Sequence, residues 1–337
     1  MLPWPDCPHF YPMQAAIEAY LLTKRYGAAQ AIEEVSFQIF PGEIVGFLGP
    51  NGAGKSTTLK ILSGLIPATA GEAYICGHSV ARFPQRIKDC IGYMPENNPL
   101  PEDMRIEEYL HMRAELKGIV PNMRKPRVQA VMKLADLDKK VRNSLILNLS
   151  KGYKQRLGLA DALLAEPPVI ILDEPTIGLD PHQLVRFRQM LDQLRGHMTI
   201  LISSHILSEI EACCDRVIII NHGHLIAAGK PSDLRKEFFP YERFRLEVQQ
   251  DVETTRHLLK SFRSVTIESI TSTTTNGSVA VLKNEAAEPM ETSGLVAALG
   301  SLGLAICAFS PLVPSLEDIF ILATKRCWDS TCGPFPK

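Results

Sequence analysis

A glycine-rich segment at residues 49–56, with the sequence GPNGAGKS, has the residue types and spacing of a phosphate-binding loop. In the pattern G-x-x-x-x-G-K-[ST] the glycines let the backbone curl, so that its N–H groups point towards phosphate oxygens. Lys55 can reach the β- and γ-phosphates of a nucleotide, and the hydroxyl of Ser56 can bind Mg²⁺. The alternative is a glycine-rich turn that binds nothing, and it is disfavoured because an apolar strand precedes the segment and a predicted helix follows it. The predicted nucleotide site comprises Gly49, Pro50, Asn51, Gly52, Ala53, Gly54, Lys55, Ser56 and Thr57.

A strand that ends in two carboxylates accompanies this loop, because Val169–Glu174 reads VIILDE. Asp173 can hold Mg²⁺ directly or through water, and Glu174 is then placed to polarise an attacking water molecule. By itself, such a pair is as often two solvated acids at the end of a strand. Its position about 115 residues after the phosphate loop favours the metal-binding and catalytic interpretation.

The elements that must position these motifs alternate between strands and helices as far as residue 221. Continuously apolar strands in this alternation predict a parallel sheet with helices on both faces. The predicted strands are Val35–Phe40, Ile44–Leu48, Ala73–Cys76, Ile91–Met94, Val169–Leu172, Thr199–Ser203 and Val217–Asn221. The predicted helices are 56–65, 106–118, 126–137, 152–165, 181–195 and 206–213.

The pattern changes after residues 231–240, where the order of elements becomes βαββαβ. Strands are predicted near 243–248, 265–270, 278–282 and 304–309, with helices at 252–261 and 290–299 and a turn at Asn276–Gly277. This order is that of a small α+β, ferredoxin-like domain. A last helix, about 315–324, begins at Ser315, which can cap it together with Asp318.

Composition limits the classes of protein to which the chain can belong. It has 337 residues, with 36 Lys+Arg against 37 Asp+Glu and a net charge of −1. The length suggests two domains, and the 45% hydrophobic content excludes a disordered chain. A balanced charge argues against nucleic acid as the main partner. The eight cysteines form no C-x-x-C motif, which favours reduced thiols in a cytosol.

Membrane and export segments are not expected. The longest uncharged stretch, Ser293–Leu316, is broken at Gly300–Ser301 and is better explained as a helix, a turn and a strand. The N-terminal residues have no basic start and no apolar core, so they do not form a signal peptide. Residues 1–13 are expected to be a disordered extension, and Met13 is an alternative start.

Further short motifs resemble those of a known family. They are Tyr26, LSKGYKQR at 149–156, IGLD at 177–180 and SSH at 203–205. With the phosphate loop and VIILDEP, they resemble the nucleotide-binding subunit of an ABC transporter over about residues 14–235. The extension at 241–325, which ends in PSLEDIF, resembles the C-terminal domain of single-domain bacterial exporter ATPases, including drug-export and gliding-motility-associated types.

The resemblance implies a P-loop NTPase with a helical insertion at about 97–165, in which two copies sandwich two ATP molecules. Tyr26 would stack on adenine, and His205 would contact the γ-phosphate and help to hold the water. Ser150 and Gly152 would approach the γ-phosphate of the ATP bound to the partner, and Asp180 would link the two sites. Alone, each of these residues has an ordinary explanation, such as an N-cap for Ser150 or a surface aromatic for Tyr26.

Two positions depart from the family pattern. The usual signature LSGGQ is LSKGY here, with Lys151 and Tyr153, while Ser150 and Gly152 remain. Glu96, in YMPENNP, stands where the family usually has Gln. A carboxylate can still accept a hydrogen bond from water or bind Mg²⁺, but it cannot donate one. The variant resembles that of gliding-motility-associated exporters, which implies that Glu96 does not mean a loss of function.

The resemblance therefore implies an ATP hydrolase, with ATP and Mg²⁺ as cofactors, that energises a membrane exporter by closure of a dimer. Its partners would be a second copy or a paralogue and a separate polytopic permease, which would contact residues 96–113 at the cytoplasmic face of a bacterial inner membrane. The alternatives are a non-transport ABC ATPase, associated with ribosomes or DNA, and a nucleotide-dependent regulatory subunit. The implied segments are an extension (1–13), the ATP-binding domain (14–235), a linker (236–240), an accessory domain (241–325) and a tail (326–337).

Overall fold

The structure, a computed structural model, describes residues 14–137, 141–260, 262, 265–273, 277–284 and 292–329. The chain divides into two compact units. The first comprises the chain up to Pro231 together with the described residues from Ala323, and the second comprises Ser232–Leu322. The expected extension at 1–13, Asn276 of the expected turn, and residues 330–337 of the expected tail lie outside the described residues.

The first unit contains ten strands and seven α-helices within its described residues up to Pro231. In chain order they are β1 (Ile17–Tyr26), β2 (Ala29–Ile39), β3 (Ile44–Leu48), α1 (Lys55–Leu62), β4 (Ala70–Ile75), β5 (His78–Ser79), α2 (Pro84–Cys90), β6 (Ile91–Met94), α3 (Ile106–Leu116), α4 (Pro121–Leu134), α5 (Lys151–Leu163), β7 (Val169–Asp173), α6 (Pro181–Leu194), β8 (Thr199–Ser204), α7 (Leu207–Glu211), β9 (Arg216–Asn221) and β10 (His224–Gly229).

The main sheet of this unit has the order β10-β9-β3-β8-β7-β6. The five strands from β9 to β6 are parallel, as the sequence predicted, and every residue of β3, β7 and β8 is buried. Because parallel strands end at the same edge of a sheet, the residues that follow β3, β7 and β8 meet there. The sequence prediction missed β10, which pairs antiparallel with β9 through a tight turn at His222–Gly223, where both residues have positive φ.

A second sheet is antiparallel, with the order β2-β1-β4-β5. The strands predicted at Val35–Phe40 and Ala73–Cys76 overlap β2 and β4 of this sheet, so their assignment to the parallel sheet was wrong. The sequence analysis placed Tyr26 before the first strand, but Tyr26 ends β1 and pairs with Ala29 of β2. The pairing of β1 with β2 is interrupted by three register shifts, and the burial of its residues does not alternate regularly. Such a strand lacks the period of two that reveals a half-buried strand in a sequence, which is why the prediction missed it.

The helical insertion contains α3, α4 and α5. The predicted second helix, 126–137, is shifted, because α4 spans Pro121–Leu134 and includes Pro126. A proline in the first turn lacks only an N–H that has no partner in the helix, so Pro121 starts the helix readily. The helix ends at Leu134, and the left-handed Asp136 (φ 52°) follows shortly after.

Close packing of β6 against α5 depends on Gly92. A methyl group added at Gly92 would lie 2.2 Å from the carbonyl oxygen of Ala162 and 2.9 Å from Cγ of Pro167. We expect Gly92→Ala to destabilise the protein by about 2 kcal/mol, because the clash is with backbone that cannot rotate away. Calorimetric unfolding measures the effect. Gly294→Ala is the matched control, since nothing lies within 4 Å of the added methyl group, and it should be neutral or slightly stabilising.

The second unit is an α+β arrangement with one antiparallel sheet. Its elements are α8 (Pro231–Phe238), β11 (Arg243–Val248), α9 (Val252–Lys260), β12 (Thr266–Ser272), β13 (Ser278–Lys283), α10 (Thr292–Ser301), β14 (Ile306–Pro311) and the start of α11 (Leu316–Asp329). The sheet order is β12-β13-β11-β14, and its core includes Phe244, Leu246, Leu282 and Leu299.

Two sequence expectations at the borders of this unit can be compared with the structure. Much of the expected linker at 236–240 belongs to α8. The predicted cap of the last helix is present, because the Ser315 hydroxyl donates to the Asp318 carboxylate (2.8 Å) and accepts from the Asp318 N–H (3.2 Å). The helix continues to Asp329, beyond the predicted end at 324 and into the expected tail.

Candidate active site

The glycine-rich loop connects β3 to α1 at the carboxyl edge of the main sheet. Gly52 and Gly54 have φ values of 81° and 106°, in the left-handed region that favours glycine. A methyl group at Gly49 would lie 2.3 Å from the carbonyl oxygen of Ile220, so the loop also lies too close to β9 for a side chain there. These constraints explain the glycines and leave the start of α1, with its positive dipole end, facing the loop.

Lys55 lies at the first position of α1 with its side chain 6% exposed. Its ammonium donates to the carbonyl oxygens of Gly49 (2.7 Å) and Pro50 (3.3 Å) of the loop. It also lies 3.3 Å from Oε1 of Glu174. A compact positive charge is thereby held inside the loop, next to a carboxylate at the end of β7.

A hydrogen-bonded group joins the loop to the ends of β7 and β8. Oδ1 of Asp173, a residue that is 1% exposed, accepts from the hydroxyls of Ser56 (3.1 Å) and Ser203 (2.7 Å). The N–H of Glu174 donates to Oγ of Ser203 (2.9 Å). Sequence reasoning noted the SSH motif but gave no role to Ser203, which orients both acids. Neighbouring positions on parallel strands were the available signal, since Asp173 and Ser203 are register partners.

Glu174 follows β7 in the left-handed conformation, with φ 51°. Its Oε2 lies 2.8 Å from Nδ1 of His205, and the residue is 4% exposed, whereas the His205 side chain is 40% exposed. An uncommon φ for a non-glycine residue often marks a functional position. The carboxylate therefore lies between a lysine ammonium and a solvent-accessible imidazole, where it can accept a proton or orient a water molecule.

Tyr93 of β6 has a buried hydroxyl with a raised pKa. Burial is the main cause, and the negative charges of Asp173 and Glu96 raise the pKa further. Glu96 follows the end of β6 by two residues and lies at the same edge of the sheet.

An open cavity of about 380 Å³ lies beside Lys55, Glu174 and His205. It brings together predicted residues from four separate parts of the sequence and adds two that were not predicted, Ala31 and Ile177. The predicted residues that line it are Pro50, Asn51, Gly52, Gly54, Lys55, Ser56, Thr57, Glu96, Glu174 and His205. Those that do not line it are Tyr26, Gly49, Ala53, Ser150, Gly152, Asp173 and Asp180.

Tyr26 is half-exposed at the turn between β1 and β2, with the ammonium of Lys24 5.2 Å from its ring centre. The cavity is lined instead by Ala31, five residues further along the chain. The structure therefore leaves the Tyr26 ring accessible for stacking but does not include it in the cavity wall.

Ser150 and Gly152 of the signature segment and Asp180 of the IGLD segment lie together and do not line the cavity, whereas Ile177 does. Ser150 caps α5 by accepting from the N–H of Tyr153 (3.4 Å), and Asp180 caps α6 by accepting from the N–H of Gln183 (2.9 Å). A methyl group at Gly152 would lie 2.3 Å from Oε1 of Gln183, so the two helix starts are in close contact.

The described residues contain neither a grouped set of metal-binding side chains nor a membrane-spanning helix. No three side chains among His, Cys, Asp and Glu are grouped as a metal site within the described part of the chain. Within residues 14–137, 141–260 and the later described segments, no helix combines the length and the hydropathy needed to cross a bilayer.

Comparison with known proteins agrees with this geometry. Residues 32–177 match the family described as ABC transporter. The uncharacterized ABC transporter ATP-binding protein YcbN of Bacillus subtilis (strain 168) is 38% identical over 222 residues, which cover 65% of this chain and 71% of that protein. The Nod factor export ATP-binding protein I of Paraburkholderia xenovorans (strain LB400) is 36% identical, covering 66% of this chain and 73% of that protein.

A solved structure extends the comparison to the fold. It is a dimeric, post-hydrolysis ATP-binding cassette bound to ADP and Pi, with a TM-score of 0.59 and 27% identity, covering 64% of this chain and 98% of that chain. The P-loop fold, the order of the motifs and the relatives agree. The chain therefore belongs to the ABC transporter ATP-binding proteins, a family of transport ATPases that bind and hydrolyse ATP.

Proposed function

We propose that this chain energises a membrane exporter by closing as a dimer around ATP and hydrolysing it. The observation that carries the proposal is the group formed by Lys55, Glu174 and His205 at the cavity, with contacts of 3.3 Å and 2.8 Å to the two oxygens of Glu174. Positioning and charge stabilisation dominate phosphoryl transfer, and this group can provide both.

In the proposed mechanism, Glu174 accepts a hydrogen bond from the attacking water and polarises it. His205 fixes the orientation of that carboxylate and contacts the γ-phosphate. Lys55 exchanges its contacts with the loop carbonyls for the β- and γ-phosphate oxygens, helped by the N–H groups of the loop. Burial of Glu174 strengthens each of these electrostatic interactions.

The residues present fit Mg²⁺. Ser56 and Asp173 bring two oxygen ligands within 3.1 Å of each other, and Glu96 lines the same cavity. Mg²⁺ prefers oxygen ligands and is usually held by one or two carboxylates together with substrate phosphates. Ser56, Asp173 and Glu96 would hold the ion directly or through water. When bound, Mg²⁺ neutralises the charge that develops on the β- and γ-phosphate oxygens.

A second copy or a paralogue completes the site in this proposal. Ser150 and Gly152 lie outside the cavity of their own chain, at the positive N-terminal end of α5. That end would bind the γ-phosphate of the ATP held by the partner, and Asp180 would link the two sites. The dimeric state of the similar cassette supports this arrangement.

Glu96 is proposed to connect the cavity to a separate polytopic permease through residues 96–113. We expect Glu96→Gln to leave ATP binding unchanged but to alter how hydrolysis responds to the permease, because only the amide can donate a hydrogen bond. The ratio of stimulated to basal ATPase rates measures this response. Equal ratios for the two forms would contradict this role, and Glu237→Gln, which changes an exposed carboxylate on α8 outside residues 96–113, is the control.

The second unit is proposed to be ferredoxin-like and to stabilise the dimer. Its βαββαβ order and its sheet order β12-β13-β11-β14 support the fold assignment. Pairing of two such units would keep the ATPase units close together before ATP binds. Analytical ultracentrifugation of the nucleotide-free protein tests this role, which would be wrong if the protein were monomeric at high micromolar concentration. A ligand-sensing role is the alternative, since fold alone does not decide function.

Co-purification tests the exporter proposal most directly. The Glu174→Gln variant would be isolated with ATP from detergent-solubilised membranes, and retained proteins would be identified by mass spectrometry. We expect a polytopic membrane protein in stoichiometric amount, which would place the chain at the cytoplasmic face of the bacterial inner membrane. The name of the Nod factor export relative supports the direction of transport. Ribosomes or DNA-repair proteins would instead favour the non-transport alternative, although a net charge of −1 offers little attraction for nucleic acid.

A further inference from the structure

Two buried polar atoms near the active site have no hydrogen-bond partner among the described residues. They are Oγ1 of Thr176 and Oε2 of Glu209, in residues that are 7% and 9% exposed. Leaving such groups unpaired is costly, so buried polar atoms in proteins are almost always hydrogen-bonded to protein or to ordered water. Both atoms therefore need an explanation.

The two side chains line the same small cavity. Its volume of about 10 Å³ is close to the room that one water molecule needs. Arg188 of α6 also lines it, and the remaining wall is apolar apart from Cys213, whose thiol donates to the carbonyl oxygen of Glu209 (3.1 Å). One hydroxyl, one carboxylate oxygen and one guanidinium around a space of this size match the two to four partners that a buried water requires.

The cavity lies between the segments that carry the proposed catalytic residues. Thr176 follows Glu174 by two residues, and Glu209 of α7 follows His205 by four. Arg188 belongs to the helix that Asp180 caps. The direct bond between Glu174 and His205 (2.8 Å) therefore depends on the relative position of two chain segments that meet again at this cavity.

We propose that Thr176 and Glu209 are positioning residues that bind one water molecule. This water would fix the position of Glu174 relative to His205. The Thr176 hydroxyl donates to the water, and the water donates to Oε2 of Glu209. Neither residue lines the nucleotide cavity, so both act through the two residues that do. The inference rests on the proposed roles of Glu174 and His205 in hydrolysis.

The test measures steady-state ATP hydrolysis by the purified full chain with Thr176→Val, Glu209→Gln and the double variant. Both changes keep the shape of the side chain: Thr176→Val removes the hydroxyl, and Glu209→Gln replaces one carboxylate oxygen with an NH2 group and removes the negative charge. We expect each to lower kcat about tenfold with KM for ATP within about twofold of wild type, because misplacing a catalytic group affects turnover more than binding. We expect the double variant to be no slower than either single one, because both break the same link.

Controls separate positioning from a general loss of packing. Thr176→Ser restores the hydroxyl and should recover kcat, while Ser208→Ala, an exposed change on α7, should leave it unchanged. A high-resolution crystal structure should show a water within hydrogen-bond distance of both side chains. The proposal is overturned if kcat stays within twofold for both single variants, if their effects multiply, if serine fails to restore turnover, or if the cavity contains no water.

One further variant distinguishes this inference from the proposed function. If Glu174→Gln retains wild-type kcat, the assignment of Glu174 as the base fails, and the inference fails with it. If Glu174→Gln is inactive while the Thr176 and Glu209 variants are fully active, only the water link is wrong.

Discussion

Glu174→Gln should reduce ATP hydrolysis by about 10³-fold while ATP still binds, because general base catalysis contributes about 10²–10⁴-fold. The amide has the size of the carboxylate but cannot take a proton from water. It also removes a negative charge that lies 3.3 Å from Nζ of Lys55, which leaves that ammonium free for the phosphates. The variant should therefore accumulate as an ATP-bound dimer. Release of inorganic phosphate and size-exclusion chromatography with ATP measure the two effects.

The matched control for this prediction is Glu237→Gln, which neutralises an exposed carboxylate on α8 and should change neither measurement. Hydrolysis that remained within tenfold of wild type in Glu174→Gln would show that another group activates the water. His205 would then be the candidate to test, because its imidazole lies 2.8 Å from Glu174 and also lines the cavity.

Lys55→Ala should weaken ATP binding by about 100-fold, because charge-assisted hydrogen bonds to phosphate are among the strongest contacts that a side chain makes. The substitution also leaves Glu174 buried without its cation, which adds negative charge beside the phosphates. Calorimetric titration with ATP and Mg²⁺ measures the affinity. The loss should also abolish stabilisation of the fold by ATP in thermal unfolding, since stabilisation by a ligand depends on its affinity.

Lys60→Ala is the control for Lys55→Ala, since it removes an exposed lysine from the last turn of the same helix. Lys55→Arg keeps the charge but replaces the compact ammonium that donates to Gly49 and Pro50 with a planar guanidinium, so it tests whether the charge alone is enough. ATP affinity close to wild type in Lys55→Ala would show that the loop N–H groups alone bind the phosphates.

The parts of the fold that were predictable are those with strong local signals. Continuous apolar runs such as Ile44–Leu48 and Val169–Leu172 identify buried parallel strands, and the loop between β3 and α1 follows from its glycines. Strands overlapping β2 and β4 of the antiparallel sheet were predicted, but β1 was missed because it contains register shifts and mixes polar with apolar residues. Its pairing is long-range, and a window of sequence does not contain that information.

The active-site geometry was less predictable than its residue types. The role of Ser203 depends on β7 and β8 being neighbours in register, which no local pattern reveals. The contact of Gly152 with Gln183 likewise depends on how α5 and α6 begin side by side. The small cavity between Thr176 and Glu209 depends on tertiary packing, because neither residue has an unusual sequence context.

The position of β6 in the main sheet determines how rigidly different residues of the active site are held. Asp173 and Ser203 belong to strands bonded on both sides, whereas β6, which leads to Glu96, lies at the edge and is bonded to β7 alone among the described strands. An edge strand has fewer backbone hydrogen bonds to break when it moves. Asp173 and Ser203 are therefore held by strands on both sides, whereas the strand that leads to Glu96 is held on one side only. Because Gly92 brings the backbone of β6 close to that of Ala162, a displacement of β6 would have to be accommodated by α5, the helix that Ser150 caps.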